Sequence, residues 1–321
     1  MRAKERLDQN GLHGHRSGKS SSLLNSCLVR ILSLLLMLTI CFSCTHHYID
    51  SHGNTVDKGA AEHHNQGIAY FKQGKYALAI SQYTKAIEIS PRAESYNDRG
   101  LAFFSTGQYD QGVSDFNKAI EIDPKYAEAY AGRGSTYLVK RQYDEAISDL
   151  SRAIGEGLKQ SAVYFKRGSA YFHKRQYDQA ISDFTRTIEL DAKQTKAYFG
   201  RGSAYSYKGQ YDPAISDFDK VIELDPRYAD AHTSRGLVIL NKGQYDQAIL
   251  NFNKTIEIDP KNAKAYWARG IAYCQKGQVD LGLSDLNNAK KLGLNSKEAD
   301  ESIAQCTDKQ KRIAPKLPAP K

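Results

Sequence analysis

The chain has 321 residues, enough for roughly one to three ordinary domains, and its 40% hydrophobic and 25% charged residues are typical of a globular protein. Its formal net charge of +9 would suit a nucleic-acid binder only if the basic residues lay on a folded surface. However, residues 1–45 contain six Lys or Arg against two acids, and residues 307–321 contain five against one. The excess charge therefore lies near the two ends, and the sequence predicts no nucleic-acid partner.

The sequence has one long apolar run, CLVRILSLLLMLTICFSC, at residues 27–44. Its uninterrupted part, residues 31–44, is shorter than the about 20 residues that a membrane-spanning helix needs. A basic segment before a short apolar run is typical of a signal peptide. We therefore predict a basic leader with a signal peptide or membrane anchor over residues 1–44, and a flexible, histidine-containing linker over residues 45–59.

The end of that run, Cys-Phe-Ser-Cys, resembles the lipobox of bacterial lipoproteins, in which the last cysteine is lipidated and becomes N-terminal. The resemblance implies that Cys44 carries a lipid anchor. The alternative is an uncleaved anchor that thins the bilayer around a short span. Both interpretations place the body of the protein outside the cytoplasm, in the periplasm or cell envelope.

A glycine recurs through the rest of the chain, first after 33 residues and then five times after 34. An aromatic or His ring precedes each glycine by four residues, and a ring follows three residues later in six of the seven units. A small residue follows twelve residues after the glycine, and an aromatic residue or Leu sixteen after it. These spacings predict two amphipathic helices per unit that pack closely at the glycine. The seven structural glycines are Gly67, Gly100, Gly134, Gly168, Gly202, Gly236 and Gly270.

A turn related to KGQYD separates the two predicted helices of each unit. The aspartate in this turn is a favourable N-cap residue for the second helix. Pro213, which follows one of them, would then be the first residue of its helix. The predicted caps are Asp110, Asp144, Asp178, Asp212, Asp246 and Asp280.

This pattern resembles the tetratricopeptide repeat (TPR) family, whose unit is a helix–turn–helix of 34 residues. The resemblance implies an all-α fold, a right-handed α-solenoid of seven TPR units over residues 60–294. Asn295, Glu298, Ala299, Ile303 and Cys306 predict a C-terminal capping helix over residues 295–307. A disordered, basic, Pro-rich tail is predicted for residues 308–321. The units are 60–92, 93–126, 127–160, 161–194, 195–228, 229–262 and 263–294.

An arginine directly precedes the glycine in five units that also carry an aspartate sixteen residues after the arginine. We predict that these residues form structural ion pairs between the two helices, and the alternative is that the charges are solvated. The pairs are Arg99 with Asp115, Arg133 with Asp149, Arg167 with Asp183, Arg201 with Asp217, and Arg269 with Asp285.

A second apolar stripe follows the first helices, three residues before and one and four residues after the glycine. In the family, this side lines a concave groove that binds extended peptides or a partner helix. The alternative is that these side chains only pack between adjacent first helices. The family's paired Lys and Asn clamp for a C-terminal carboxylate is not matched at the corresponding positions. The candidate groove residues are Phe71, Phe104, Phe165, Phe172, Phe199, Tyr207 and Trp267.

No convergent acid–base or nucleophile constellation is evident in the sequence. Five of the nine histidines fall near the first helix, where a solvated linker is favoured over a metal site. Whether Cys274 and Cys306 pair is left open. We therefore predict no enzyme activity, cofactor, metal or small-molecule substrate, but a membrane-tethered scaffold that binds a protein partner, as an envelope adaptor or assembly factor. The alternatives are a docking subunit that recruits an enzyme to the cytoplasmic membrane, or an enzyme itself.

Overall fold

The computed structural model describes residues 55–294 and 296–313, and within these ranges the chain forms fifteen helices and no strand. The first seven helices are α1 (Thr55–Lys72), α2 (Tyr76–Ile89), α3 (Ala93–Ser105), α4 (Tyr109–Ile122), α5 (Ala127–Val139), α6 (Tyr143–Gly155) and α7 (Ser161–His173). The others are α8 (Tyr177–Leu190), α9 (Thr195–Tyr207), α10 (Tyr211–Leu224), α11 (Ala229–Asn241), α12 (Tyr245–Ile258), α13 (Ala263–Gln275), α14 (Val279–Lys291) and α15 (Ser296–Ile313).

The described helices form an all-α solenoid of helix–turn–helix repeats, which divides into two compact units. The unit before residue 193 contains repeats 1–4 (α1–α8), and the unit from residue 193 onward contains repeats 5–7 (α9–α14) and α15. Within each unit, the two helices of a repeat contact each other, and both contact the first helix of the following repeat. Each repeat thus buries its apolar face against its neighbours, as repeat proteins require.

The repeating glycines lie where the two helices of a repeat approach most closely. A Cβ atom on Gly67 would stand 2.5 Å from the ring of Tyr83, and one on Gly236 would stand 2.6 Å from the ring of Phe252. Both rings are fully buried on the second helix of the same repeat. The predicted packing reason for a glycine inside a helix is therefore confirmed, since any side chain there would push the helices apart.

The predicted N-caps are wrong. The second helices begin two residues earlier than predicted, so that Tyr109 is the first residue of α4 and Asp110 the second. The cap residue is Gln108, whose side chain makes no capping hydrogen bond. Pro213 is accordingly the third residue of α10, where its missing N–H has no intrahelical acceptor to lose.

Both ends of the array differ from the predicted boundaries. Helix α1 begins at Thr55, inside the predicted linker, and α15 continues to Ile313, so the predicted disorder is wrong for residues 308–313. The leader, Cys44 and residues 314–321 lie outside the described residues. Among the described helices, none combines the length and apolar character needed to cross a bilayer.

Helix α15 packs against repeat 7 and is covalently joined to it. A disulfide links Cys274 on α13 to Cys306 on α15. Lys290 of α14 also forms an ion pair with Asp300 of α15, with 2.6 Å between Nζ and Oδ1. The small residue that follows the repeat glycine by twelve positions is Gly282 here, and a Cβ on it would overlap the Cys274 sulfur.

Candidate partner-binding surface

The first-helix face is defined here by the residues three before, one after and four after each repeat glycine. In repeat 7 this face is covered by the protein itself. Trp267 is only 8% exposed, and its Nε1 donates a hydrogen bond to Ser302 Oγ of α15 at 3.0 Å. Trp267 therefore packs between helices, and its prediction as an accessible groove residue is wrong.

Three of the other candidate aromatics lie at the C-terminal ends of first helices and contact the first Tyr of the second helix. The ring centroids are 5.4 Å apart for Phe71 and Tyr76, and 5.6 Å apart for Phe172 and Tyr177. Phe104 is packed in the same way but is only 3% exposed, so it belongs to the core. Phe71 and Phe172 are half-buried and keep part of each ring at the surface.

The remaining candidates are also half-buried. Phe165 packs on Phe184 of its own repeat with ring centroids 5.7 Å apart, and Phe199 packs on Phe218 at the same distance. Tyr207 lies at the end of α9. Five of the seven candidate side chains thus keep part of their surface accessible, and the other two, Phe104 and Trp267, are buried.

A buried polar cluster lies on the first-helix face of repeats 1 and 2, and it was missed in the sequence. His64 Nδ1 is 3.0 Å from Ser95 Oγ, and its Nε2 is 3.3 Å from Asp98 Oδ2. Asn97 is only 1% exposed and donates from Nδ2 to Asp98 Oδ1 at 3.1 Å. Its Oδ1 has no hydrogen-bond partner among the described residues. Most buried polar atoms of folded proteins have a hydrogen-bond partner, so this oxygen departs from the usual pattern.

A second buried polar contact, made by a lysine, connects repeats 3 and 4. Lys166 Nζ on α7 donates to Ser135 Oγ on α5 at 2.9 Å. Burial without a carboxylate partner lowers the pKa of Lys166 to about 7. The residue stands two positions before its repeat glycine, where no other repeat has a basic residue. This single basic residue, at a position where the other repeats have none, was the sequence signal that could have identified Lys166.

The five predicted arginine–aspartate pairs all form between the helices of a repeat. Arg99, for example, donates from Nε to Asp115 Oδ2 at 2.7 Å and from Nη2 to Oδ1 at 2.8 Å. Its Nη1 reaches the preceding repeat and donates to Thr84 Oγ1 at 3.0 Å. The equivalent pairs are Arg133 with Asp149, Arg167 with Asp183, Arg201 with Asp217, and Arg269 with Asp285.

These pairs hold the repeats in register and leave little charge available to a ligand. The hydrogen bonds that Arg167 donates to Asp183 raise the pKa of Arg167 above its usual value, and the guanidinium lies over the Tyr164 ring at 5.8 Å. The contact with the preceding repeat was not predicted. It could have been found, because a polar residue follows each repeat glycine by seventeen positions.

A second set of ion pairs connects the turns of neighbouring repeats. Lys140 Nζ is 2.5 Å from Asp110 Oδ1, and Lys174 pairs with Asp144 in the same way. These are the aspartates that were predicted to be N-caps. Because their carboxylates are exposed, each pair contributes under about 1 kcal/mol.

The Ser95–His64–Asp98 contacts have the residue types of a hydrolase triad. Ser95 is only 3% exposed, however, so its hydroxyl cannot reach a substrate. No group of His, Cys, Asp and Glu that could hold a metal ion occurs among the described residues. The cluster is therefore a buried polar contact between repeats 1 and 2.

Comparison with known proteins identifies the repeat family. Profiles described as TPR repeat or tetratricopeptide repeat match residues 60–92, 100–140, 131–195, 195–228, 218–249 and 238–277. No curated protein matches the chain.

Among solved structures, the chain is similar to YrrB, described as a TPR protein with an unusual peptide-binding site. The two are 30% identical over 57% of this chain and 95% of that chain, with a TM-score of 0.54. MamA is 29% identical over 54% of this chain and 94% of its own, with a TM-score of 0.50. The C-terminal part of a TPR repeat-containing protein from Cytophaga hutchinsonii shares the fold, with 20% identity, coverage of 74% and 98%, and a TM-score of 0.60. The chain thus belongs to the tetratricopeptide repeat family.

Proposed function

We propose that this protein is a non-enzymatic, membrane-tethered scaffold that binds an extended segment of a partner protein on the first-helix face of repeats 1–4. It would serve as an adaptor or assembly factor in the cell envelope. The observation that carries the proposal is the set of half-exposed aromatic rings on this face, Phe71, Phe165 and Phe172. Aromatic anchors of this kind supply much of the binding energy at protein interfaces.

An extended peptide suits this surface better than an apolar helix does. A peptide in extended conformation presents side chains at regular intervals along its length, so that one segment can reach several separate rings. Its side chains would pack on Phe71, Phe165 and Phe172. The likeness to YrrB, a TPR protein described as having a peptide-binding site, supports this choice.

The disulfide supports a location outside the cytoplasm. Disulfides persist in oxidising compartments and are rare where thiols are kept reduced. The Cys274–Cys306 bond therefore agrees with export of the body by the apolar segment that ends at Cys44. Lipidation of Cys44 would then keep the array at the membrane.

Site-specific photocrosslinking in native membranes tests the binding surface. A photoreactive amino acid at Phe172, on the first-helix face, is expected to give discrete adducts with a partner. The matched control is Leu78, an exposed residue on second helix α2 of the same unit. Adducts of equal yield from both positions, or from Leu78 alone, would exclude the proposed surface.

Metabolic labelling with palmitate tests the anchor. The wild-type protein is expected to incorporate the label and to fractionate with membranes. The Cys44→Ser variant is expected to lose the label. Equal labelling of both proteins would show that Cys44 is not the lipid attachment site.

A further inference from the structure

The turn between the two helices of every repeat requires a left-handed backbone. Five repeats place glycine there, with φ between +72° and +83°. Repeats 3 and 4 instead place Arg141 and Arg175 there, with φ of +61° and +60°. For a bulky L-residue this conformation is strained, so local folding alone would favour glycine at both positions.

The turn itself offers no compensating contact for either side chain. The backbone bonds are the same as in the glycine turns: the Arg175 N–H donates to Phe172 O at 2.9 Å, as the Gly74 N–H does to Phe71 O. Both arginine side chains are exposed. Neither guanidinium has a hydrogen bond or ion pair in the described part of the chain.

The two turns are joined, so the two cations belong to one surface, which we call the turn edge. His173, beside the second turn, stacks on Tyr143, beside the first, with ring centroids 5.0 Å apart and planes 12° apart. Lys174 pairs with Asp144 across the same junction. Partial desolvation by neighbouring groups, together with the nearby charge of Arg141, lowers the pKa of His173, which agrees with the closeness of the turns.

We propose that Arg141 and Arg175 form a second binding surface, on the turn edge of repeats 3 and 4, for an acidic segment of a protein partner. Strain that persists at an exposed position without a folding benefit indicates a functional role. A guanidinium recognises carboxylates by two parallel hydrogen bonds, which lysine cannot reproduce. This surface adjoins the first-helix face at Phe172, but the proposal does not rest on the proposed peptide binding.

The charges around the two arginines favour a protein segment over a membrane. The turn edge also carries the exposed carboxylates of Asp110 and Asp144. A continuous anionic membrane surface would meet these carboxylates as well as the arginines. A protein segment can place separate acidic side chains opposite the two guanidinium groups alone.

The test uses the full-length protein and a fluorescent peptide of alternating Glu and Ser. We expect wild type to bind it in a salt-sensitive manner, and the double variant Arg141→Gly, Arg175→Gly to lose at least about tenfold in affinity. Because glycine suits the left-handed turn, this variant should keep or raise the melting temperature. A matched control, Lys85→Gln with Lys159→Gln, removes two exposed positive charges from the same unit and should bind normally.

Several outcomes would overturn the proposal. One is equal affinity of wild type and the glycine variant, and another is no peptide binding by wild type. A third is preferential binding of phosphatidylglycerol vesicles over the peptide, which would assign the surface to a membrane. A lower melting temperature of the glycine variant would show that the arginines serve folding instead.

Discussion

Repeats 4 and 7 carry the same structural frame but present different first-helix faces. In repeat 4 the face is formed by Phe165 and Phe172, which are half-exposed. The corresponding residues of repeat 7 are Trp267 and Cys274, and both are buried beneath α15. Whether an aromatic residue at these positions can bind a partner thus depends on which helix follows it in the chain.

The two repeats share the contacts that maintain the array, but they differ in whether the first-helix face is accessible. The arginine–aspartate pair and the close approach at the glycine recur in both repeats and maintain the array. In repeat 7 the exposed end is closed by α15, as terminal repeats require for solubility. In repeat 4 the same positions remain partly accessible, and buried Lys166 lies beside them.

Replacing the paired arginine by alanine should lower the unfolding free energy by a similar amount in both repeats. This is the largest effect that we expect. Arg167→Ala and Arg269→Ala each leave a buried aspartate without its partner, at about 3–5 kcal/mol of unfolding free energy. Urea denaturation measures this change. The control Lys174→Ala breaks an exposed pair and should lose under about 1 kcal/mol. A small loss from either arginine variant would show that the shared frame does not depend on these pairs.

Breaking the disulfide should affect repeat 7 alone. Cys306→Ser is expected to lower the stability of the α15 contact by about 3 kcal/mol, because the chain between the cysteines is no longer constrained when unfolded. Trp267, the single tryptophan, reports the change as a red shift of its fluorescence when α15 detaches.

The matched probe for repeat 4 is Phe165→Trp in a Trp267→Phe background. Its fluorescence is measured with the Cys274–Cys306 disulfide intact and after Cys306→Ser. Its emission should be insensitive to Cys306→Ser, since the disulfide joins α15 to repeat 7. An equal shift of both probes would mean that the disulfide stabilises the whole array and would remove the contrast between the repeats.

The stability of repeat 4 should depend on pH through Lys166. Its pKa is lowered to about 7 in the folded protein, so the unfolded chain binds more protons between pH 7 and the ordinary lysine pKa. Unfolding free energy should therefore rise with pH in this window, by at most about 1.4 kcal/mol per pH unit. Lys166→Met should be more stable than wild type at neutral pH and should lack this slope. Parallel pH profiles for the two proteins would show that Lys166 is charged in the fold.

The sequence was sufficient for features that recur along the array. Glycine spacing and its surrounding rings predicted the helix pairs, and the arginine–aspartate spacing predicted contacts that are present in the structure. The N-caps were mispredicted because Asp is an excellent cap residue, whereas here Asp110 pairs with Lys140 of the next repeat. Whether this aspartate caps its helix or pairs with a lysine of the next repeat depends on the tertiary structure. The neighbouring sequence does not reveal which of the two occurs.

Features that occur once were the hardest to predict. The burial of Trp267 follows from the disulfide with Cys306, and cysteine pairing is not determined by sequence spacing. The unpartnered state of Asn97 Oδ1 depends on its tertiary surroundings, which the sequence does not give. The candidate groove was therefore predicted too broadly, with two of its seven residues in the core.

Capture of the native partner by three full-length proteins tests the central contrast most directly. Wild type, Phe165→Ala with Phe172→Ala, and Trp267→Ala are crosslinked in native membranes, and recovered partner is quantified. Loss of the partner is expected from the repeat 4 variant alone, because the indole of repeat 7 is already covered by α15. Loss from Trp267→Ala with normal capture by the repeat 4 variant would contradict the account.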